Sequence, residues 1–292
     1  MSERNSLPYS PSHLSTRQIN MRTATTWNDL LNPGEATDFF SRRAFPLFEP
    51  TTRSYSAANA LWLAELSRLV YRHDIEETTP PPQPTQTYFL EQAGCTRRQF
   101  FHSRKTGTQA ILVEFNGATP YAVLVFRGTE QRIKDAITDL TFGTLSSNTG
   151  KIGVHQGFKL ALDAVCSEIE AALTPLTCPI FYTGHSLGAA LATLAAARHA
   201  PTALYTFGSP RVGDADFVAS LKDIASNIHR VVNGNDVVTT LPPESFGFQH
   251  VGTLHALTAP TSDNADASWI EGLSKPPKFL ADHAPINYVD GI

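Results

Sequence analysis

The chain has 292 residues, 41% of them hydrophobic and 17% charged, with a formal net charge of −4. That length and apolar share suffice for one large core, so a single domain is the better expectation than two. The absence of any Lys/Arg cluster argues against a nucleic-acid partner. No apolar stretch is long enough to cross a bilayer, the longest candidate being Ala189 to Ala197.

Met1 to Pro8 is not followed by an apolar run, so no secretory leader is expected. Residues 1–52 are rich in Ser, Thr, Asn and Pro and read as an irregular arm, with residues 53–292 as the single folded domain. Ala57 to Tyr71 carries apolar residues at helical spacing. Thr78 to Thr87 contains Pro80, Pro81, Pro82 and Pro84 and reads as a stiff connector. Strands are expected at Thr87–Glu91, Gln99–Ser103, Ala110–Phe115 and Tyr121–Phe126, the last continuously apolar as a strand covered on both faces should be. Gln156 to Leu173 reads as one helix. The strand Pro179–Thr183, a helix over Ala189–Ala197, the strand Ala203–Phe207, a helix from Asp214 to Ala225 and the strand Ile228–Asn233 follow, with one more strand at Gln249–His255. This alternation predicts an α/β fold with a mostly parallel sheet and helices on both faces. The three cysteines, Cys95, Cys166 and Cys178, have neither zinc-site nor disulfide-framework spacing and read as buried thiols.

The segment Gly184-His185-Ser186-Leu187-Gly188 lies between a strand and a helix. A chain with 18 glycines would contain G-x-S-x-G by accident roughly once in ten cases. It is the strand before and the helix after that mark Ser186 as a nucleophile pushed out of a strained turn, at which a Cβ on either glycine would crowd the strand or the helix.

A serine hydroxyl needs a base to take its proton, and the base needs a carboxylate to fix its tautomer. On such a scaffold the chain order is Ser, then Asp or Glu, then His. Of the later histidines, His199 ends the helix after Ser186, His229 opens a strand, and His250 and His255 fall in a strand pattern where a structural role is expected. His283 lies in a loop after every strand and is the candidate base. Asp236 directly follows the strand Ile228–Asn233, at the carboxyl end where α/β sites are built. Asp214 and Asp216 suit a helix start, and Asp282 is too close in sequence to His283 to hold its ring. Two N–H donors for a tetrahedral oxyanion are expected from Leu187 and from Thr129, which follows the strand Tyr121–Phe126 in Arg127-Gly128-Thr129.

Phe126–Thr129, Val154–Phe158, Gly184–Gly188, Tyr205–Gly213 and Asn235–Val238 together resemble the successive motifs of the class 3 lipases, fungal-type triacylglycerol lipases with an α/β-hydrolase fold. The resemblance runs from about residue 57 to 289. It implies a triad of Ser186, Asp236 and His283, an oxyanion hole from Thr129 and Leu187, no cofactor and no catalytic metal, and a lipid ester substrate met at an oil–water or membrane surface. Glu130 to Leu145 places Ile133, Ile137 and Leu140 on one helical face. That pattern fits a solvated surface helix as well as a lid, and the resemblance selects the lid. The expected activity is acylglycerol ester hydrolysis through an acyl-enzyme. An esterase, phospholipase or feruloyl esterase on the same scaffold is the alternative, and a non-enzymatic lipid-binding protein is disfavoured because no triad member is missing. Compartment and oligomeric state are not legible in the sequence.

Overall fold

A computed structural model of the chain describes residues 25–72, 82–128, 153–258 and 275–292. Thr129, the lid segment from Glu130 to Leu145 and residues 78–81 of the proline-rich connector fall outside the described residues. Seven strands form one sheet in chain order: β1 Cys95–Ser103, β2 Thr108–Phe115, β3 Tyr121–Phe126, β4 Ile180–His185, β5 Ala203–Phe207, β6 Ile228–Asn233 and β7 Thr253–Leu257. β1, β2 and β3 pair antiparallel, whereas β3 to β7 run parallel.

Side chains alternate across β3, sending Ala122, Leu124 and Phe126 to one core and Val123 and Val125 to the other. Both faces are covered, which is why the strand reads as an unbroken apolar run. Parallel strands in spatial order need right-handed crossovers, and these all pass on one side. Four helices of these crossovers therefore share a face: α4 Gln156–Asp163, α5 Cys166–Leu173, α6 Leu187–Arg198 and α7 Ala215–Ser220 place Phe158, Ile169, Leu191 and Phe217 in one core. The opposite face is left to helices from outside the parallel strands. α2 (Ala57–Leu69) supplies Leu63 and Leu66, and α9 (Pro285–Gly291) supplies Tyr288 and Val289.

Residues 25–52 begin with the short helix α1 (Trp27–Leu31), whose Thr26 and Asp29 form a capping box. They then lie on the α2–α9 face. Phe39 is buried there, and the Phe48 ring stacks on Tyr121 at 4.2 Å. Arg68 of α2 pairs with Glu65 and with Asp38, both at 2.8 Å, while Arg42 pairs with Asp290 at 2.8 Å. The segment is thus tied to both the first and the last covering helix.

Several elements differ from expectation. Thr87–Glu91 is not a strand but lies inside α3 (Gln86–Gln92), because the Thr85 side chain caps the Tyr88 N–H and only Phe89 and Leu90 of its apolar residues are buried. The expected helix 156–173 is broken into α4 and α5 at Ala164 and Val165, where the Val165 N–H bonds Leu162 in a tightened turn. Periodicity does not register such a break, since Val165 still reaches the same core. The helix expected from Asp214 to Ala225 stops at Ser220 and continues as turns. β7 starts at Thr253 rather than Gln249 because Gly252 stands at φ +79, where a Cβ would meet Ile228 at 2.4 Å. The three cysteines are free thiols but are half-buried rather than buried.

Candidate active site

β4 ends at His185 and α6 begins at Leu187, so Ser186 alone makes the turn. It stands at φ 58 and ψ −127, a strained conformation for a residue with a side chain. The flanking glycines make it possible. A Cβ on Gly184 would sit 2.3 Å from the Gly188 carbonyl carbon, and one on Gly188 would sit 2.2 Å from the Phe126 carbonyl oxygen. The result is a half-buried hydroxyl presented between strand and helix.

His283 follows the short helix α8 (Lys278–Ala281) and precedes α9. Its Nε2 is 2.9 Å from Ser186 Oγ, and its Nδ1 is 2.8 Å from Asp236 Oδ2. Asp236 accepts at Nδ1, which must therefore carry the proton; Nε2 of the neutral ring is left to accept from the serine. Asp236 sits just past β6, and its other oxygen accepts the Val238 N–H at 2.9 Å. The loop after it is braced from the preceding strand's exit: the Arg211 N–H donates to Leu241 O at 2.7 Å, and its guanidinium donates to the carbonyls of Thr240 and Pro242.

The sequence reading missed four contributors. The Tyr288 hydroxyl donates to Asp236 Oδ2 at 2.5 Å from α9. His185 Nε2 is 2.7 Å from the backbone carbonyl of His283, and Tyr71 Oη is 2.9 Å from His185 Nδ1. Only a faint signal was available: His185 is a polar residue at the end of an apolar strand, while Tyr71 and Tyr288 look like ordinary core residues of helical stretches. Gly208, at φ +60, is a fourth. A Cβ there would stand 2.7 Å from Asp236 Oδ2 and 3.1 Å from the His283 ring, so the carboxylate–imidazole pair packs directly on bare backbone.

Burial pushes the Asp236 carboxyl up, but the adjacent His283 and the hydrogen bonds from His283 and Tyr288 outweigh it and hold the carboxyl below its ordinary value. Burial, followed by the charge of Asp236, raises the Tyr288 phenol well above its ordinary value, so it is a fixed donor. Burial, followed by the nearby His283, lowers His185 to about 3. His185 is therefore neutral.

Leu187 is the first residue of α6. Its N–H belongs to the first turn, whose donors have no intrahelical carbonyl to bond, and it lies beside Ser186 where a developing oxyanion would need a donor. The remaining candidates are occupied elsewhere. His199 Nδ1 bonds Tyr182 Oη at 3.1 Å, His229 Nε2 donates to Arg53 O at 2.8 Å, and His250 Nε2 donates to Thr239 O at 2.8 Å. His255 stacks on Tyr55 at 3.8 Å. Asp214 caps α7 through the Phe217 N–H, with Asp216 in that helix's first turn. Asp282 accepts from the Asn235 N–H and pairs with Lys278, while the His283 ring bonds Asp236 instead.

A hydroxyl, an imidazole and a buried ionised carboxylate in one hydrogen-bonded line, over a parallel sheet and at a strand-to-helix turn, define an α/β-hydrolase with a serine-hydrolase type of site. Residues 123–246 match the family described as Lipase (class 3). A secreted mono- and diacylglycerol lipase of Fusarium solani is 37% identical over 156 residues, 50% of this chain and 46% of that protein. A triacylglycerol lipase structure described as having a serine protease triad at its catalytic centre is 28% identical, with a TM-score of 0.51 over 63% of this chain and 77% of that one. The lipase of Rhizopus microsporus var. chinensis, 23% identical, shares the fold with a TM-score of 0.56 over 85% of this chain and 87% of its own. The chain spans about half or less of the length of the first curated relatives it matches. Over residues 123–246 it carries the class 3 lipase pattern. No helix among the described residues is long and apolar enough to cross a membrane.

Proposed function

We propose that the protein is a serine hydrolase of acylglycerol esters, in which Ser186, His283 and Asp236 act as one unit. Ser186 Oγ attacks the ester carbonyl carbon while His283 Nε2 takes its proton. Asp236 keeps the ring in the tautomer that can accept it and stabilises the imidazolium. The tetrahedral oxyanion is assigned to the N–H groups of Leu187 and, by the family resemblance, of Thr129. Collapse expels the alcohol, protonated by His283, and leaves an acyl-serine. Water activated by the same His283 then attacks the acyl carbon, and the fatty acid leaves as Ser186 regains its proton.

The observation that carries this reading is the unbroken line Ser186 Oγ, His283 Nε2, His283 Nδ1, Asp236 Oδ2, with contacts of 2.9 and 2.8 Å. The lipid ester class comes from the family, whose Fusarium solani member is named for mono- and diacylglycerols. Ser186→Ala is expected to abolish ester hydrolysis and covalent labelling by a fluorophosphonate while leaving the circular dichroism spectrum and melting temperature essentially unchanged. Retention of full activity by that variant would overturn the assignment. A p-nitrophenyl ester series from short to long acyl chains, assayed with and without an emulsion, separates the lipase from an esterase: preference for acetyl esters with no response to an interface would favour the esterase.

A further inference from the structure

We propose that His185 and Tyr71 are a positioning pair that sets where His283 stands relative to Ser186 and where the loop at Gly128 stands against both. This rests on the reading of Ser186 as nucleophile and His283 as base.

His185 is covalently joined to Ser186, so whatever its ring holds is held in register with the nucleophile. Its Nε2 lies 2.7 Å from the His283 backbone carbonyl. A carbonyl can only accept, so Nε2 carries the proton. In a neutral ring Nδ1 is then a bare acceptor, and the Tyr71 hydroxyl at 2.9 Å donates to it. The tautomer of His185 is thus fixed by the His283 carbonyl, and Tyr71 donates to the nitrogen left bare. All three side chains are buried, and the His185 and His283 rings lie 4.5 Å apart.

The consequence for the reaction is geometric. Asp236 orients the His283 ring, while the main chain of the loop that carries it is held separately, at Asp282 by Asn233 and Asn235 and at His283 itself by His185. The His185 bond ties the main chain of that loop to the residue before the nucleophile, closing a short ring through Ser186 Oγ and His283 Nε2. Proton transfer needs that last contact within hydrogen-bond reach, and misplacement by about 1 Å costs on the order of 10² in rate. Tyr71 reaches one element further. A Cβ on Gly128 would fall 1.9 Å from Tyr71 Oη and 2.8 Å from the His185 carbonyl oxygen, so the backbone at Gly128 rests on the pair itself. Gly128 immediately precedes Thr129 in the sequence, and the same two residues therefore back the nucleophile, the base and the loop assigned to the oxyanion.

The test compares Tyr71→Phe, His185→Gln and His185→Asn with the wild type on a soluble short-chain p-nitrophenyl ester. Ser186→Ala is run alongside; kcat, KM, melting temperature and fluorophosphonate labelling rate are measured. The Gln side-chain amide can place its nitrogen where Nε2 lies and donate to His283, whereas Asn is too short. His185→Asn is expected to lose on the order of 10² in kcat, His185→Gln to recover most of that, and Tyr71→Phe to lose roughly tenfold. KM should stay within about twofold throughout, because substrate binding is not touched. The labelling rate should fall in step with kcat, since it reads nucleophile activation without turnover. Wild-type kcat and labelling in folded Tyr71→Phe and His185→Asn would overturn the proposal, as would equal losses in the Gln and Asn variants that track melting temperature. An active Ser186→Ala would instead overturn the nucleophile assignment, so the two failures are distinguishable.

Discussion

Ser186 sits between a strand and a helix contiguous with it in sequence, and its geometry is set by glycines two positions away on either side. His283 sits between two short helices and is placed by partners 47 and 98 residues distant, Asp236 and His185. The helix after it is anchored in turn by the N-terminal segment, through Arg42 to Asp290 and Thr25 to Asn287. One half of the site is covalent and local and the other is assembled. A local turn fails by not folding, because its strain has no slack. An assembled contact fails by drifting, with the fold intact and the rate reduced.

Substitutions should separate these two modes. The largest effect is expected from Asp236→Asn on the assembled side: kcat lowered about 10³–10⁴-fold from the wrong His283 tautomer, with a melting curve close to wild type. A modest loss of rate would show that the carboxylate is not the orienting group.

Acid should strain the assembled side next. His185 is held at about 3 in the fold against an ordinary 6.5, so the unfolded chain takes up a proton first and stability falls as pH drops from about 6.5 toward 3. His250, lowered to about 4 by burial and then by Arg230, adds in the same direction. Asp236, whose carboxyl is depressed in the fold, adds its loss only below the ordinary carboxylate value of 3.8. Melting temperatures from pH 7 to pH 4 should decline steadily, and less steeply in His185→Gln. A flat profile would contradict the burial of neutral imidazoles.

On the local side, Gly188→Ala must drive a methyl to 2.2 Å from the Phe126 carbonyl oxygen. Backbone cannot yield as a side chain can, so denaturant unfolding should show a loss of about 3 kcal/mol or more. A stable Gly188→Ala protein would mean that the turn has the slack denied above. The smallest effect is expected from Tyr288→Phe. It removes one of the three donors to Asp236 and keeps the ring packing, so kcat should fall roughly tenfold, in keeping with the ~1.5 kcal/mol at the low end for a hydrogen bond to a charged group. No change in kcat would show that Val238 and His283 alone hold the carboxylate.

Much of this site was legible before any coordinates. The run Ile180 to Ala197 announces strand, turn and helix because period and glycine placement are local properties. Chain order and the rule that sites form at strand carboxyl ends singled out Asp236 and His283. Errors fell where local signal is ambiguous. The Tyr88-Phe89-Leu90 run reads as strand or helix equally well until Thr85 caps it, and the break at Val165 leaves the apolar period untouched.

By itself, then, the amino-acid order determined the nucleophile turn, the parallel strands, the family resemblance and the choice of Ser186, Asp236 and His283 as candidates, because each is written in spacing, composition or order along the chain. Only the tertiary structure decided that Tyr288 completes the carboxylate's hydrogen bonds, that His185 and Tyr71 hold the main chain of His283, and that Gly208 is the bare floor under the pair. Those contacts join residues far apart in the chain, brought together on the face that the right-handed crossovers leave to α2 and α9. No spacing along the sequence records that meeting.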